Sequence, residues 1–181
     1  MGMLDKVVAA VTPEASDEDR AKARQQARAA SGGSGWLSQV LDHHEDVEQA
    51  FAAVKAAASA NARRSAQKML AVLLTGHSIA EEAVLYPAMA LSDQKGHSGE
   101  AYTEQSAAKV QTAALEDLDP MSSDYLDKLE HLRAAVAHHV YEEESSWFLE
   151  LRQQDSAVQS KLSRRYREEF ERYMGDTAAA R

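Results

Sequence analysis

The sequence contains no cysteine. Disulfides, zinc–thiolate sites and iron–sulfur clusters held by cysteine are therefore excluded. Any metal that this chain binds must be held by nitrogen and oxygen ligands, and an iron site of that kind would be non-haem.

Proline, glycine and aromatic residues are also scarce. The 181 residues include only 3 Pro and 8 Gly, and aromatic residues make up 6% of the chain, whereas hydrophobic residues make up 44%. A low content of Pro and Gly together with abundant Ala is typical of helical proteins. The length suits one domain with a substantial core, and we expect an all-α fold.

Long apolar segments are absent as well. No uninterrupted apolar run approaches the roughly 20 residues that span a bilayer, and the first residues lack the apolar core of a signal peptide. The formal net charge of -9, from 29 acidic and 20 basic side chains, disfavours nucleic acid or an anionic membrane as the main partner. We expect a cytoplasmic protein that is monomeric or homodimeric and that binds neither nucleic acid nor a membrane.

Three parts follow one another along the chain. Residues 1–35 predict an N-terminal helical arm that ends in a Gly/Ser linker. Its sequence predicts a helix start at Thr12–Glu14 and a capping box from Ser16 to Asp19. We expect this helix to pack weakly on the rest of the domain. Residues 36–154 predict four helices joined by short connections, which favours an antiparallel up-down-up-down bundle. Residues 155–181 predict an extra C-terminal helix and tail.

One short pattern occurs twice, 62 residues apart: His77 with Glu81, and His139 with Glu143. A His and a Glu four residues apart project from the same face of a helix. Both pairs fall on the apolar stripe of their predicted helices, about 62–91 and 123–153. His44 fills the one gap in the apolar stripe of the helix that begins at Trp36.

These inward positions favour a metal site. Two buried carboxylates without partners cost several kcal/mol each, so they must be protonated, paired with a cation or bound to metal. Imidazole mixed with carboxylate suits iron, manganese or zinc, and bridging carboxylates favour a dinuclear centre. A single buried His is more often a structural residue, and Glu-rich runs are more often solvated, but three His and two Glu at matching depth change that balance.

The remaining histidines are interpreted as structural. His43 and His138 flank the ligands, His131 lies two turns from His139, and His97 falls in a predicted loop, residues 92–99. Pro87 is expected to bend or end the second helix. Glu82 and Glu144, one residue beyond the predicted ligands, are candidates to orient His nitrogens.

With these residues assembled, the chain resembles the haemerythrin HHE cation-binding family over about residues 36–151. The family's pattern is His on the first helix, His-x-x-x-Glu on the second, His on the third and His-x-x-x-Glu on the fourth. Matched by position, the resemblance implies an oxo- or hydroxo-bridged centre of two iron ions, with iron favoured over manganese or zinc. Its ligands would be His44, His77, Glu81, His139 and Glu143, with both Glu as bridging carboxylates.

The departure from the family lies on the third helix, predicted over about residues 100–118. Gln105 stands where the family has His, and no His occurs in that segment. Gln105, Glu104, Tyr102 or His97 could fill the vacancy.

Three functions remain open on the sequence. The resemblance implies a di-iron protein that binds or senses O2 or a related small oxidant, NO or peroxide. The alternatives are a di-iron oxidase or peroxide-consuming enzyme, which would use the open position left by Gln105, and iron storage or iron sensing.

Overall fold

The computed structural model describes residues 15–179, and that range folds into helices and turns without a β-strand. The all-α fold is therefore confirmed. The helices are α1 Asp17–Ser31, α2 Gly35–Ala56, α3 Ala60–Ala80, α4 Tyr86–Leu91, α5 Lys95–Ala114, α6 Ser123–Glu142, α7 Phe148–Leu151 and α8 Ser156–Ala179. Two π-helical turns, Glu81–Leu85 and Glu143–Trp147, join α3 to α4 and α6 to α7, and a 3₁₀ turn over Leu115–Asp117 follows α5.

Side-chain caps fix the starts of several helices. Ser16 caps α1, and Asp19 bonds back to the Ser16 backbone, so the predicted capping box is confirmed. Ser59 and Ser122 cap α3 and α6 by accepting a backbone N–H three residues on. The predicted helix start at Thr12–Glu14 lies outside the described residues.

The core consists of two apolar clusters with a polar layer between them. One cluster is built around Trp36, Tyr86, Phe148 and other large side chains. The other includes Phe51, Leu132 and their neighbours. Along α2 and α3 the candidate ligands fall between residues of the first cluster and residues of the second, and Glu143 falls between Val140 of the second cluster and Trp147 of the first. The polar layer therefore crosses the middle of the bundle.

The N-terminal helix packs more closely than the sequence indicated. Ala23 and Ala27 are buried, and two arginines of α1 form ion pairs with acidic residues of the bundle. Gly32 ends α1 with a φ of 63°, a left-handed conformation that favours glycine, and the chain turns directly into α2. The expectation of weak packing was wrong because it counted apolar residues and overlooked charge pairing.

Two further expectations are corrected. His97 is helical, because α5 begins at Lys95, and its ring stacks on Trp147 with centroids 5.6 Å apart. Pro87 does not end the second helix: it follows the first π-helical turn, at the start of α4, and the helix continues to Leu91. The π-helical turn before it interrupts the regular α-helical hydrogen bonding, so a residue without a backbone N–H can follow it within the helix.

The continuous helix Ala60–Leu91 is long and apolar enough to cross a membrane by length and composition, with a mean hydropathy of 1.2 in its most apolar window. Polar residues interrupt its apolar stretches, so the sequence contains no uninterrupted apolar run of that length here. A buried core helix meets the same criterion, and 56% of that window is buried within the protein.

Candidate metal centre

The five predicted ligands all lie in the polar layer. His44 comes from α2, His77 from α3 and His139 from α6, while Glu81 and Glu143 each begin a π-helical turn. None of the five is more than 6% exposed. His44, His77, Glu81 and Glu143 each direct one donor atom into a group whose members lie within 4.8 Å of one another. His139 lies beside this group.

The three imidazoles face the carboxylates through the same ring atom. His77 Nε2 lies 3.1 Å from Glu81 Oε2, and His139 Nε2 lies 3.3 Å from Glu143 Oε1. His44 Nε2 lies between the two carboxylates, 3.3 Å from Glu143 Oε2 and 3.9 Å from Glu81 Oε1. One ring nitrogen from each of three helices therefore points at the same small volume.

Several of these atoms are buried without a hydrogen bond. Among the described residues, His44 Nε2, Glu81 Oε1 and Glu143 Oε2 have no well-oriented hydrogen-bond partner, although His44 Nε2 and Glu143 Oε2 are close. Leaving such atoms unsatisfied costs about 1–3 kcal/mol each, more when the group is charged. Because these atoms converge, one cation could satisfy them together, and the donor set fits a metal ion.

The two carboxylates are in opposite protonation environments. Burial, together with the nearby charge of Glu143, raises the pKa of Glu81 well above its usual value. Burial also opposes ionisation of Glu143, but the charges and hydrogen bonds of His139 and His44 outweigh it and lower the pKa of that carboxyl. In the metal-free site the surroundings therefore favour the neutral form of Glu81 and the ionised form of Glu143.

The histidines divide in the same way. Burial disfavours the charged form of His44, yet hydrogen bonds to Glu143 and Glu144 raise its pKa to about 9. Burial opposes the charged form of His139 too, but the charge of Glu143 and hydrogen bonds to Glu104 and Glu143 raise its pKa well above the usual value. Burial and the charge of His44 lower the pKa of His77. A metal ion entering this site would displace protons from Glu81, His44 and His139.

The π-helical turns bring a tyrosine into the centre. The Tyr86 backbone N–H donates to the Glu81 carbonyl, five residues back, so the turn contains one residue more than an α-helical turn. The Tyr86 hydroxyl then lies 2.9 Å from Glu143 Oε1, 3.2 Å from Glu81 Oε2 and 3.1 Å from His139 Nε2. The sequence reasoning missed this residue because it assumed a regular helix. The available signal was the aromatic residue that lies nine positions after the His in both copies, Tyr86 in the first and Phe148 in the second.

The same turn shifts the buried stripe of the second helix. In a regular helix the stripe of His77, Glu81 and Val84 predicts Ala88 as the next inward position. Met89 is the buried residue instead, and Ala88 is only partly buried.

On the third helix, Gln105 is the residue that reaches the site. Its Nε2 donates to Glu81 Oε2 at 2.5 Å and to the Tyr86 hydroxyl at 2.6 Å, and its Oε1 is buried with no partner in residues 15–179. Glu104 instead accepts from His139 Nδ1 at 2.8 Å. Tyr102 donates to the backbone carbonyl of Glu82.

All three ring Nδ1 atoms have partners outside the centre. His44 Nδ1 lies 2.8 Å from Glu144 Oε1, His139 Nδ1 lies 2.8 Å from Glu104, and His77 Nδ1 lies 3.3 Å from the Tyr166 hydroxyl. Glu144 therefore does orient a predicted ligand. Glu82 does not, because it pairs with Lys109 at 2.5 Å.

A cavity of about 30 Å³ adjoins this arrangement. The residues that line it include His44, His77, His139 and Gln105. Apolar side chains, including Leu74 and Val136, form most of the remainder. The space accommodates a molecule about as large as water.

Comparison with known proteins agrees with this geometry. Residues 37–151 match a family model described as a haemerythrin HHE cation-binding domain. A protein from Nostoc sp. described as a DNA nickase is 34% identical over 87 residues, which is 48% of this chain and 25% of that protein. The chain thus aligns with only a quarter of that relative's length. No solved structure gave a significant match.

Proposed function

Because this chain belongs to the haemerythrin HHE cation-binding domain family, we propose that it is a non-haem di-iron protein that binds or senses O2 or a related small oxidant, NO or peroxide. We infer that His44, His77, Glu81, His139 and Glu143 hold the metal. Glu81 and Glu143 would supply the carboxylate ligands, and one oxygen of each lies within 3.9 Å of His44 Nε2.

The observation that carries this proposal is the convergence of buried donor atoms that the described residues do not fully satisfy. His44 Nε2, Glu81 Oε1 and Glu143 Oε2 face one another in a layer between two apolar clusters. Neither a salt bridge nor a hydrogen bond among the described residues satisfies them all. A purely structural polar core would be expected to satisfy them, because buried polar groups are almost always bonded.

When bound, an iron centre in its reduced form would supply the electrons that a small oxidant takes up. The chain's own residues would determine how that oxidant is held. The cavity of about 30 Å³ admits only a small molecule, and Val136 and Leu74 would keep bulk water from it. The Tyr86 hydroxyl and the Gln105 amide are the neutral hydrogen-bond donors nearest the carboxylates. They could donate to a bound anion or hold a proton beside it.

We also infer the finer topology. The connections 57–59, 92–94 and 118–122 are short, so consecutive long helices must reverse direction to pack side by side. An antiparallel up-down-up-down arrangement of α2, α3–α4, α5 and α6–α7 meets this requirement.

The test is metal analysis of the purified protein combined with its optical spectrum during anaerobic reduction and re-exposure to air. We expect two iron ions per chain and a charge-transfer band that returns reversibly with O2. Protein that contains no iron, and takes up none anaerobically, would contradict the proposal. A single irreversible oxidation would contradict reversible binding.

A second candidate is an oxidase or peroxide-consuming enzyme, and Gln105 favours it. Its amide nitrogen donates to Glu81 and Tyr86, so its nitrogen cannot replace the imidazole that the family has at this position. A coordination position left open in this way can activate a substrate. Peroxide consumption that disappears in His139→Ala would support the enzyme, whereas a rate equal to that of free iron would exclude it.

Iron storage or sensing is the third candidate. It predicts that metal content rises above two ions per chain or that folding depends on iron. The DNA activity in the relative's name is not part of our proposal, because the alignment covers a quarter of that protein and this chain has a net charge of -9.

A further inference from the structure

We propose that the two flanking helices, α1 and α8, are functional parts of the metal centre, because each provides a positioning residue for one ligating histidine. Arg24 of α1 acts on His44 through Glu144, and Tyr166 of α8 acts on His77. Both residues lie outside the 37–151 segment that matches the family model. The inference rests on the proposed metal site and extends it to residues that neither the family nor the repeated motif indicates.

The first chain of contacts begins at the N-terminal helix. Arg24 Nε lies 3.0 Å and 3.2 Å from the two carboxylate oxygens of Glu144, and its Nη2 lies 3.0 Å from Oε1. Glu144 is only 2% exposed and holds His44 Nδ1 at 2.8 Å. Arg24 also pairs with Glu48 of α2, which fixes the guanidinium between two helices.

This geometry determines which ring nitrogen of His44 is free. A carboxylate accepts a hydrogen bond and cannot donate one when ionised, so Glu144 requires a proton on Nδ1 and leaves Nε2 for a metal. Arg24 supplies the charge that compensates a carboxylate buried in the protein. Without Arg24, the buried Glu144 carboxylate would lose the guanidinium that holds it in place and would turn toward water, which would release the imidazole.

The second chain of contacts begins at the C-terminal helix. The Tyr166 hydroxyl is fully buried and lies 3.3 Å from His77 Nδ1 and 2.9 Å from His43 Nδ1. If His77 binds metal through Nε2, its Nδ1 carries the proton and donates to the Tyr166 oxygen. The Tyr166 proton then goes to His43 Nδ1, whose ring is held by stacking on Phe170 at 3.8 Å.

The two supports differ in charge. His44 is backed by an anion, whereas His77 is backed by a neutral phenol. A carboxylate partner makes an imidazole a more basic ligand than a neutral partner does. Glu144, held by Arg24, and Tyr166 would therefore make His44 and His77 unequal in basicity as ligands of one centre.

The experiment measures Co²⁺ affinity by competition with a chelating dye, because Co²⁺ accepts the same nitrogen and oxygen donors and its visible bands report its coordination. We expect Arg24→Met and Tyr166→Phe each to weaken Co²⁺ binding at least about 10-fold, the range for loss of a residue that supports a ligand. Each variant should also change the visible bands.

The matched controls are Arg28→Met and Tyr173→Phe. Arg28 lies on the same helix as Arg24, but its partners are Ser38, Asp42 and Glu45 rather than Glu144. Tyr173 lies on the same helix as Tyr166. If Arg28→Met weakens Co²⁺ binding as much as Arg24→Met does, the effect is general docking of α1 and the positioning role is overturned. Unchanged affinity in both test variants overturns it as well.

A second measurement is independent of metal. Nitrogen NMR of the histidine rings in the metal-free protein should show His77 in one tautomer in the wild type and in a mixture in Tyr166→Phe. An unaltered His77 spectrum in that variant would refute its role. If wild-type protein binds no Co²⁺, the proposed function fails, but this NMR result still decides whether α8 positions His77.

Discussion

Removing charge from the two carboxylates, by Glu81→Gln and Glu143→Gln, should have opposite effects on the metal-free protein. The two residues occupy the same place in the repeated motif, and both are fully buried. Glutamine has nearly the same shape as glutamate, so packing changes little in either variant. The comparison therefore isolates the electrostatic environment of each side chain.

Glu81→Gln should leave the metal-free protein equally or more stable. Glu81 Oε2 accepts hydrogen bonds from Gln105 and Tyr86, which a glutamine oxygen can also accept, and Oε1 has no partner in the described residues. Its raised pKa means that ionisation at neutral pH opposes folding. Removing the ionisable group should raise the free energy of unfolding by about 1 kcal/mol, at the lower end of the gain seen when buried charges are replaced.

The pH dependence of this gain has a definite sign. A folded pKa above the unfolded value favours the folded state at low pH and destabilises it as pH rises through the folded pKa. The advantage of Glu81→Gln over wild type should therefore be present at neutral pH and shrink as pH falls toward 4.5, the ordinary pKa of the group.

Glu143→Gln should destabilise the metal-free protein. Glu143 is ionised and faces His44 and His139, whose pKa values it raises. Removing one partner of a buried ion pair typically costs about 3–5 kcal/mol, and loss of protons from the imidazoles should reduce this to about 2–4 kcal/mol. At about 2–4 °C per kcal/mol for a chain of this size, the melting temperature should fall by roughly 4–16 °C.

The assay is thermal and urea unfolding of metal-free protein, repeated with Fe²⁺ under anaerobic conditions. At 100 to 1,000 times the dissociation constant, metal should stabilise wild type by roughly 2.7–4.1 kcal/mol. Both variants should lose most of that gain. Equal destabilisation of the two metal-free variants would refute the assignment of opposite protonation states, and an undiminished metal effect would refute their role as ligands.

Three further predictions concern the same centre. Because the pKa of His44 is about 9 and the pKa values of His139 and Glu81 are also raised, the displaced protons should make metal affinity rise at least about tenfold per pH unit through neutral pH, measured by chelator competition; a flat profile would contradict this. Gln105→His should increase the iron retained after dialysis against a chelator, because it restores an imidazole at the family's position, and unchanged retention would show that Gln105 leaves no vacancy. Ala108→Leu should slow azide binding to the iron-loaded protein, because Ala108 lines the cavity, whereas Ala107→Leu should not.

Much of the site could be predicted because its residues interrupt regular patterns. His44 occupies the gap in an otherwise apolar stripe, and the two His-x-x-x-Glu pairs lie where helices of this period require apolar side chains. Gln105 was predicted by alignment with the family, and it does reach Glu81. Helical periodicity is a local property, so the sequence reveals it directly.

The residues that were missed depend on contacts between distant parts of the chain. Arg24 meets Glu144 across 120 positions, and Tyr166 meets His77 across 89. On its own segment, Arg24 belongs to a charged and Ala-rich run that is typical of a solvated surface helix. Only the docking of α1 on the second π-helical turn converts it into a partner for a buried carboxylate, and no local pattern encodes that docking.

The π-helical turns show how one repeated motif produces an asymmetric site. In each copy the Glu begins the turn, and an aromatic residue five positions later donates its backbone N–H to the Glu carbonyl. The additional residue in the turn rotates that aromatic side chain away from the position that a regular helix would give it. In the first copy this residue is Tyr86, whose hydroxyl enters the polar layer. In the second it is Phe148, which packs edge-on against Trp36 in the apolar cluster. The two copies share a backbone conformation, so the chemical difference between the halves of the site comes from the side chain that this conformation presents. The motif predicts where the carboxylates lie, and the residue five positions later determines whether a hydroxyl accompanies them.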